Sequence, residues 1–304
     1  MDATVTRPGD AELDGTVPEA PVVDPESPVD KRGLDVVWGH ATSTVSTRAT
    51  ANRVAGVVVT HGPHPDLADA IAALGAQVDE LTVVANLPNT TPLLPRGARL
   101  IENERPAGFA TNVNRGVAAT TAPFVVIANP DAIARSHAVA RLLAFAEAHP
   151  RCGVAGPLLH YPDGRWQASR RRFPTVGATF VRRTPLRFVL QPQQRQRSHY
   201  LFDEQPDEPT EADWILSAFL LLRREAMDEL GGYDAGFRLY GDEIDLAYRA
   251  RKAGWERWYV PEAVVQHRLD SMIDRRFLTR RTWWHLKGMA RFVRSHPERL
   301  LALR

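Results

Sequence analysis

The sequence predicts an α/β domain on a mostly parallel central sheet flanked by helices, and three observations lead there. Short apolar runs rich in β-branched residues stand at 54–60, 81–85 and 124–128, the pattern of strands buried on both faces. Stretches with apolar residues at helical spacing separate them, and this strand–helix alternation is that of an α/β sheet. The 304 residues, 44% hydrophobic and 24% charged, allow one large domain with appendages or two modest ones.

The first strand is Val54–Thr60. Asp66 is placed to cap the helix after it, with Leu67, Ala70, Ile71 and Leu74 as its apolar stripe and Gly75 as its end. Leu81–Ala85 completes a βαβ unit with a right-handed crossover. Arg99–Ile101 gives a third strand, Phe109–Ala119 a helix and Phe124–Ala128 a fourth strand. Ser136 is positioned to cap a helix reaching Ala148, and Gly153–Ala155 begins another strand. The second half predicts a strand over Asp213–Leu222 and a helix over Glu225–Leu230. A further helix over Asp242–Lys252 closes at Gly254, and a strand follows over Arg257–Val260. Over Arg275–Arg294, Trp283, Leu286, Ala290 and Val293 recur near helical spacing in a basic background, which predicts an amphipathic helix.

Charge is unevenly placed. Residues 1–50 hold nine acidic and four basic residues and five prolines, too little apolar surface to offset ordering, and are expected to form a disordered leader. Between Gly164 and Phe202 there are nine arginines and no acidic residue, and from Arg268 to Arg304 ten Lys/Arg face three Asp/Glu, so both stretches suit phosphates or an anionic surface. The single cysteine, Cys152, excludes an intramolecular disulfide and a multi-cysteine zinc site and suits a reducing compartment. No run of about 18 apolar residues exists, and the N-terminus lacks the order of a signal peptide. The expectation is a cytoplasmic protein that is peripheral at the inner face of the plasma membrane.

Two motifs carry chemistry. Asn129-Pro130-Asp131 directly follows the strand 124–128, which presents a carboxylate at the carboxyl edge of the sheet, where open α/β folds bind ligands. Asp131 can there hold a divalent cation bridging two phosphates, or the tripeptide can simply make a turn. Tyr240-Gly-Asp-Glu-Ile-Asp-Leu246 packs three carboxylates around a helix start. Asp242 can be its N-cap and Asp245 can favour the helix dipole, which leaves Glu243 as either a general base or a solvated first-turn acid.

Further segments are Gly108-Phe-Ala-Thr-Asn-Val-Asn-Arg-Gly116, Ala128–Asp131, Asp213-Trp214 with Ser217–Arg223, Gly231-Gly-Tyr-Asp234, Asp242–Leu246, and Tyr259-Val-Pro-Glu-Ala263 leading to His267. In this order, across about residues 54–268, they resemble family 2 inverting glycosyltransferases of the GT-A fold. Within that family they are most similar to bacterial rhamnosyltransferases acting on polyprenyl-diphosphate-linked sugars. The implied organisation is a leader at 1–50, a GT-A domain at 51–268 and a basic amphipathic helical extension at 269–304. The resemblance places Asp131 at the family's metal-binding carboxylate and His267 at a histidine of the metal or diphosphate site. Glu243 falls where the family has its catalytic base, in an acidic pair commonly ordered Glu-Asp but here Asp242-Glu243, so Asp242 is the alternative base. It assigns Thr60, His61, Asn86, Asn112, Asn114, Arg115 and Asn129 to the donor nucleotide and diphosphate. The family's Asp-Asn pair after the second strand reads Ala85-Asn86 here. Trp214 and Ser217 line the acceptor side.

The resemblance thus implies a Mg²⁺- or Mn²⁺-dependent transfer from a nucleotide-diphosphate sugar, with dTDP-L-rhamnose preferred. The acceptor is a glycan or lipid-linked sugar in cell-wall or surface polysaccharide synthesis. Another nucleotide-sugar donor, or a catalytically degenerate sugar-nucleotide-binding protein, is the alternative. A nucleotidyltransferase would show a Gly-rich phosphate loop near the N-terminus, which is absent. The arginine-rich stretch lacks a nucleic-acid motif and an interleaved aromatic platform, so no nucleic-acid partner is expected. The C-terminal segment 270–304 suits peripheral membrane contact, or a helix that packs Trp283 and Trp284 onto the catalytic domain.

Overall fold

A computed structural model describes residues 53–174, 205–238, 240–268 and 280–301. The expected leader, most of the arginine-rich stretch and residues 269–279 lie outside the described residues.

The first half alternates as the apolar pattern predicts. β1 (Val54–Thr60) is buried at every position. Its side chains alternate between two cores, Val58 in one and Val57 and Val59 in the other, as the two-residue period of a strand requires. α1 (Leu67–Gly75) buries Leu67, Ala70, Ile71 and Leu74, the stripe read from spacing. β2 (Glu80–Ala85), β3 (Arg99–Glu102), α2 (Phe109–Ala118) and β4 (Phe124–Ala128) follow. β1 runs parallel to both β2 and β4, and β3 runs parallel to β2. α2 lies tight on β1 because residue 116 is glycine: a Cβ there would stand 2.2 Å from Val57 Cγ1.

Next come β5 (Ala132–Ala134), α3 (Ala138–Ala148), β6 (Cys152–His160) and the two-residue strands β7 (Trp166–Gln167) and β8 (Arg170–Arg171). β9 (Thr210–Glu211), β10 (Trp214–Ile215), β11 (Phe219–Arg223), α4 (Arg224–Leu230), α5 (Asp242–Lys252) and β12 (Glu256–His267) complete the sheet region. The main sheet has the order β3-β2-β1-β4-β11-β6-β12-β5, with β7 on β6 and β9 on β12. β11 enters antiparallel between β4 and β6, while β12 pairs parallel with β6. In the parallel β3-β2-β1-β4 half, β1, β2 and β4 are the strands legible from the β-branched runs.

Several local expectations are corrected. Asp66 makes no cap hydrogen bond at α1; its carboxylate instead accepts two bonds from Arg268, 2.6 and 2.7 Å long. Ser136 caps nothing, since α3 begins at Ala138 behind His137 in the left-handed region. Asp242 is the first helical residue of α5, and Gly241 is its N-cap at φ 92°. The strand expected over Asp213–Leu222 is broken: β10 pairs with β8 in a separate ribbon, and only β11 joins the main sheet. Short predicted strands also lengthen, with β12 reaching His267 through a register shift between Val260 and Val264.

α6 (Arg280–Ser295) and α7 (Glu298–Leu301) close the chain. The stripe read from the sequence is largely the wrong face. Trp283 and Leu286 are 58% and 41% exposed, whereas Met289 and Phe292 are buried with Phe173, Trp214, Phe237, Ile244, Ala247 and Tyr248. α6 thereby covers one side of α5.

Candidate active site

Strand ends and strand starts meet at one edge of the sheet. β4 ends at Ala128, and the turn after it is tied down by Asn129 N–H donating to Ala218 O at 2.8 Å and Ala132 N–H to Asn129 O at 3.2 Å. The Asn-Pro-Asp segment is therefore a turn and also a presenter of Asp131. β5 pairs antiparallel with β12 so that Ala132 faces His267. This register brings His267 Nε2 to 3.4 Å from Asp131 Oδ1. Both are buried, His267 at 2% and Asp131 at 8% exposure. Burial opposes the charge on Asp131, but the hydrogen bond and charge of His267 outweigh it and hold the carboxylate below its ordinary range.

The imidazole is oriented from behind. His267 Nδ1 lies 2.7 Å from Gln167 Oε1 and donates to it, which fixes the ring with Nε2 facing Asp131. Gln167 reaches this position because β7 folds back on β6. A lone glutamine in a two-residue strand has no sequence signal, and Gln167 is absent from the expected site. Asp66 is likewise new: its ion pair with Arg268 anchors the residue after His267, whose N–H reaches Asp131 O at 3.4 Å.

Asp131 and His267 offer one carboxylate oxygen and one imidazole nitrogen facing each other, a donor set that fits a divalent cation. No group of three His, Cys, Asp or Glu side chains with metal-site geometry exists among the described residues. Two protein donors suit an ion that takes its remaining ligands from a diphosphate and water.

The expected donor residues divide by environment. Asn86 Oδ1 accepts from Asn103 Nδ2 at 2.9 Å, Ala107 N–H at 2.8 Å and Asn112 Nδ2 at 3.0 Å. Asn103 also donates to Asn112 Oδ1 at 2.7 Å and accepts from Arg115. Asn86, Asn103 and Asn112, all at most 6% exposed, form a rigid floor joining the ends of β2 and β3 to α2. Asn103 was not among the expected residues. Thr60 is fully buried and its hydroxyl donates to Gly62 O at 2.7 Å, so it shapes the turn after β1. His61 stands exposed at that edge, its Nδ1 2.9 Å from Asn86 Nδ2. Asn114 lies apart from this floor: Nδ2 donates to Tyr233 O at 2.7 Å and Oδ1 accepts Tyr233 N–H at 2.9 Å.

Of the two residues expected to line the acceptor side, Trp214 is a core residue. It is 5% exposed and its indole N–H donates to Arg172 O at 2.7 Å. Ser217 precedes β11, whose Phe219 pairs with Ala128, so it sits at the same sheet edge as Asp131. Beyond it lies the acidic pair. Asp242 is 2% exposed, and Glu243 is partly covered. Burial, reinforced by the charge and hydrogen bonding of Glu243, pushes the Asp242 carboxyl well above its ordinary range, so it favours the protonated form. Asp245 turns away from the edge to meet His296 Nε2 at 2.8 Å and Arg249 Nε at 2.7 Å. The edge thus joins an ionised carboxylate paired with an imidazole to an acidic pair suited to proton transfer.

The model of a family described as "Glycosyltransferase like family 2" matches residues 93–293. Over 233 residues the chain is 31% identical to the N-acetylglucosaminyl-diphospho-decaprenol L-rhamnosyltransferase of Mycobacterium tuberculosis, covering 69% of this chain and 74% of that protein. It is 32% identical over 84 residues to rhamnosyltransferase WbbL of Escherichia coli (strain K12), 28% of this chain and 31% of that one. The fold matches that of GalNAc-T7, solved with UDP, GalNAc and Mn²⁺, with a TM-score of 0.56 at 15% identity over 81% of this chain and 48% of that one.

Proposed function

The chain belongs to glycosyltransferase family 2 and has the GT-A fold, and from that premise we propose that it is an inverting, metal-dependent rhamnosyltransferase. Its donor is dTDP-L-rhamnose and its acceptor a hydroxyl of a polyprenyl-diphosphate-linked sugar. The observation that carries this reading is the convergence of Asp131 and His267, far apart in sequence, at the edge that also carries Ser217. The relatives named as rhamnosyltransferases, one of them for N-acetylglucosaminyl-diphospho-decaprenol, support the choice of sugar and acceptor.

Asp131 and His267 would hold the divalent cation, with Gln167 fixing the imidazole and the Asp66–Arg268 pair fixing the strand end. When bound, the cation supplies positive charge that stabilises the leaving nucleoside diphosphate. Glu243 accepts the proton of the acceptor hydroxyl as its oxygen bonds to the anomeric carbon and the bond to the diphosphate breaks. The configuration inverts in this one displacement, and no glycosyl-enzyme forms. Neutral Asp242 beside Glu243 keeps a second negative charge out of the pair. A base in this position contributes about 10²–10⁴-fold.

The acceptor's lipid would be met by α6. No helix among the described residues is long and apolar enough to cross a membrane. Trp283 and Leu286 are exposed beside Lys287, whose ammonium lies 5.1 Å from the Trp283 ring, and Ala290 and Arg294 extend the same exposed face. An apolar and basic face of this kind suits the surface of an anionic bilayer, at the inner face of the plasma membrane.

The test is nucleoside-diphosphate release from a panel of nucleotide sugars, with and without Mg²⁺ or Mn²⁺ and with a short-chain prenyl-diphosphate N-acetylglucosamine as acceptor. The expected result is release from dTDP-L-rhamnose that needs both cation and acceptor. Equal release in the presence of a chelator, or transfer from a different donor only, would refute the reading.

A further inference from the structure

Tyr240 stands at φ 67°, a left-handed backbone on a bulky residue that borders the acidic pair, and Gly241 after it stands at φ 92°. An aromatic residue in that region carries a steric cost that glycine escapes and asparagine largely escapes. Such backbone persists only where its surroundings over-determine it. Two helices do so here. From α6, Gly288 lies so close to the turn that a Cβ on it would collide with Tyr240 O. From α2, a Cβ on Gly108, the N-cap residue, would stand 3.0 Å from Phe237 O, Arg238 Cα and Arg238 O, and Phe109 N–H donates to Arg238 O at 3.1 Å. The upstream end is gripped as well: Arg291 of α6 donates to Asp234 through bonds of 2.7 and 2.9 Å, and a Cβ on Gly236 would collide with its guanidinium.

This turn leads straight into the acidic pair. Gly241 is the N-cap of α5, and its C=O accepts a backbone hydrogen bond of the first turn, from Asp245 N–H at 2.9 Å. The direction of that peptide therefore fixes the first turn of α5, of which Asp242 and Glu243 are the first two residues. The Tyr240 ring lies on α6, with its centroid 5.7 Å from that of His285 at 40°. It is the backbone of Tyr240, through Gly241, that connects it to the pair.

We propose that Tyr240 is a positioning residue for the transfer step: its left-handed backbone, wedged between α2 and α6, sets the direction in which α5 presents Glu243 to the acceptor hydroxyl. The inference rests on the proposed transferase reading, which makes Glu243 the base.

The test is steady-state transfer by the full chain with Mn²⁺, dTDP-L-rhamnose and short-chain prenyl-diphosphate N-acetylglucosamine, for a series of variants at residue 240. Calorimetric donor binding and thermal melts accompany it, so that each variant is assayed folded. Tyr240→Val, whose β-branched side chain resists the left-handed region, should lower kcat about 10–100-fold, the scale of a 1 Å misplacement, while donor Kd and acceptor KM stay within about threefold. Tyr240→Gly and Tyr240→Asn accept that backbone and should keep kcat within about threefold of wild type. Tyr240→Phe should match wild type. Tyr240→Ala is the milder form of the valine change; its kcat should fall below that of Tyr240→Gly, and it decides the matter if Tyr240→Val does not fold. Wild-type kcat in both Tyr240→Val and Tyr240→Ala would overturn the inference. So would losses in Tyr240→Gly and Tyr240→Asn as large as in Tyr240→Val, which would assign the effect to the ring, or losses that raise donor Kd and acceptor KM as much as they lower kcat. Absence of transfer by the wild type would instead refute the transferase reading beneath it.

Discussion

At the start of α5, burial separates two adjacent carboxylates: Asp242 is 2% exposed, while Glu243 is only partly covered. The buried one has its pKa raised by burial first and by Glu243 second. An acid whose folded pKa lies above its unfolded value binds a proton more tightly when folded, so its contribution to stability falls as pH climbs from the ordinary carboxylate range through the raised value. Asp242→Asn keeps the shape and removes the titration. In thermal melts, the variant's Tm relative to wild type should rise between about pH 4, near the unfolded carboxylate pKa, and about pH 8. A constant or falling difference would mean that Asp242 is ionised in the fold at little cost. Cys152 supplies a second test at this scale. Burial pushes its thiol up to about 12, so a thiol reagent at pH 8 should react only after denaturation; rapid labelling of the native protein would contradict the buried position of β6.

Among the elements, α6 packs from outside the sheet on the helix and loop that carry the Asp242–Glu243 pair. Gly288 lies so close to the loop before α5 that a Cβ would stand 2.3 Å from Tyr240 O, while Tyr240 and Gly241 take φ 67° and 92°. Arg291 grips Asp234 through bonds of 2.7 and 2.9 Å, and His296 reaches buried Asp245. Gly288→Ala should therefore cost about 1–3 kcal/mol by overpacking and lower kcat as α5 shifts. Unchanged stability and kcat would show that α6 is only an attachment.

The limits of the sequence are clearest at this same scale. The β-branched runs and helical spacing disclosed β1, β2 and β4 and α1 to α3, because strands buried on both faces and amphipathic helices write their environment into local composition. Ordered motifs singled out Asp131, His267 and the acidic pair, and the structure brings Asp131 and His267 to within 3.4 Å of each other. Local composition could not disclose Gln167 or Asp66, whose contacts depend on β7 folding back and on Arg268 reaching α1. Nor could it tell which face of α6 is buried, since Trp283 and Phe292 are equally apolar and only the packing against α5 decides.

Over the whole molecule, the proposed function assigns the outward face of α6 and the sheet edge to two ends of one lipid-linked acceptor. The full chain should co-sediment with phosphatidylglycerol vesicles in a salt-sensitive manner. Trp283→Ala with Leu286→Ala should weaken that partition about tenfold, the scale of apolar side-chain burial, and binding equal to wild type would remove the docking face. The central claim is the division of labour between the Asp131–His267 pair and the Asp242–Glu243 pair. Calorimetric titration of dTDP-L-rhamnose in Mn²⁺, paired with a transfer assay, separates the two. Asp131→Ala should lose Mn²⁺-dependent donor binding, while Glu243→Gln should bind donor as wild type does and lose about 10²–10⁴-fold in transfer. Donor binding by Asp131→Ala that is undiminished and still Mn²⁺-dependent would contradict the account.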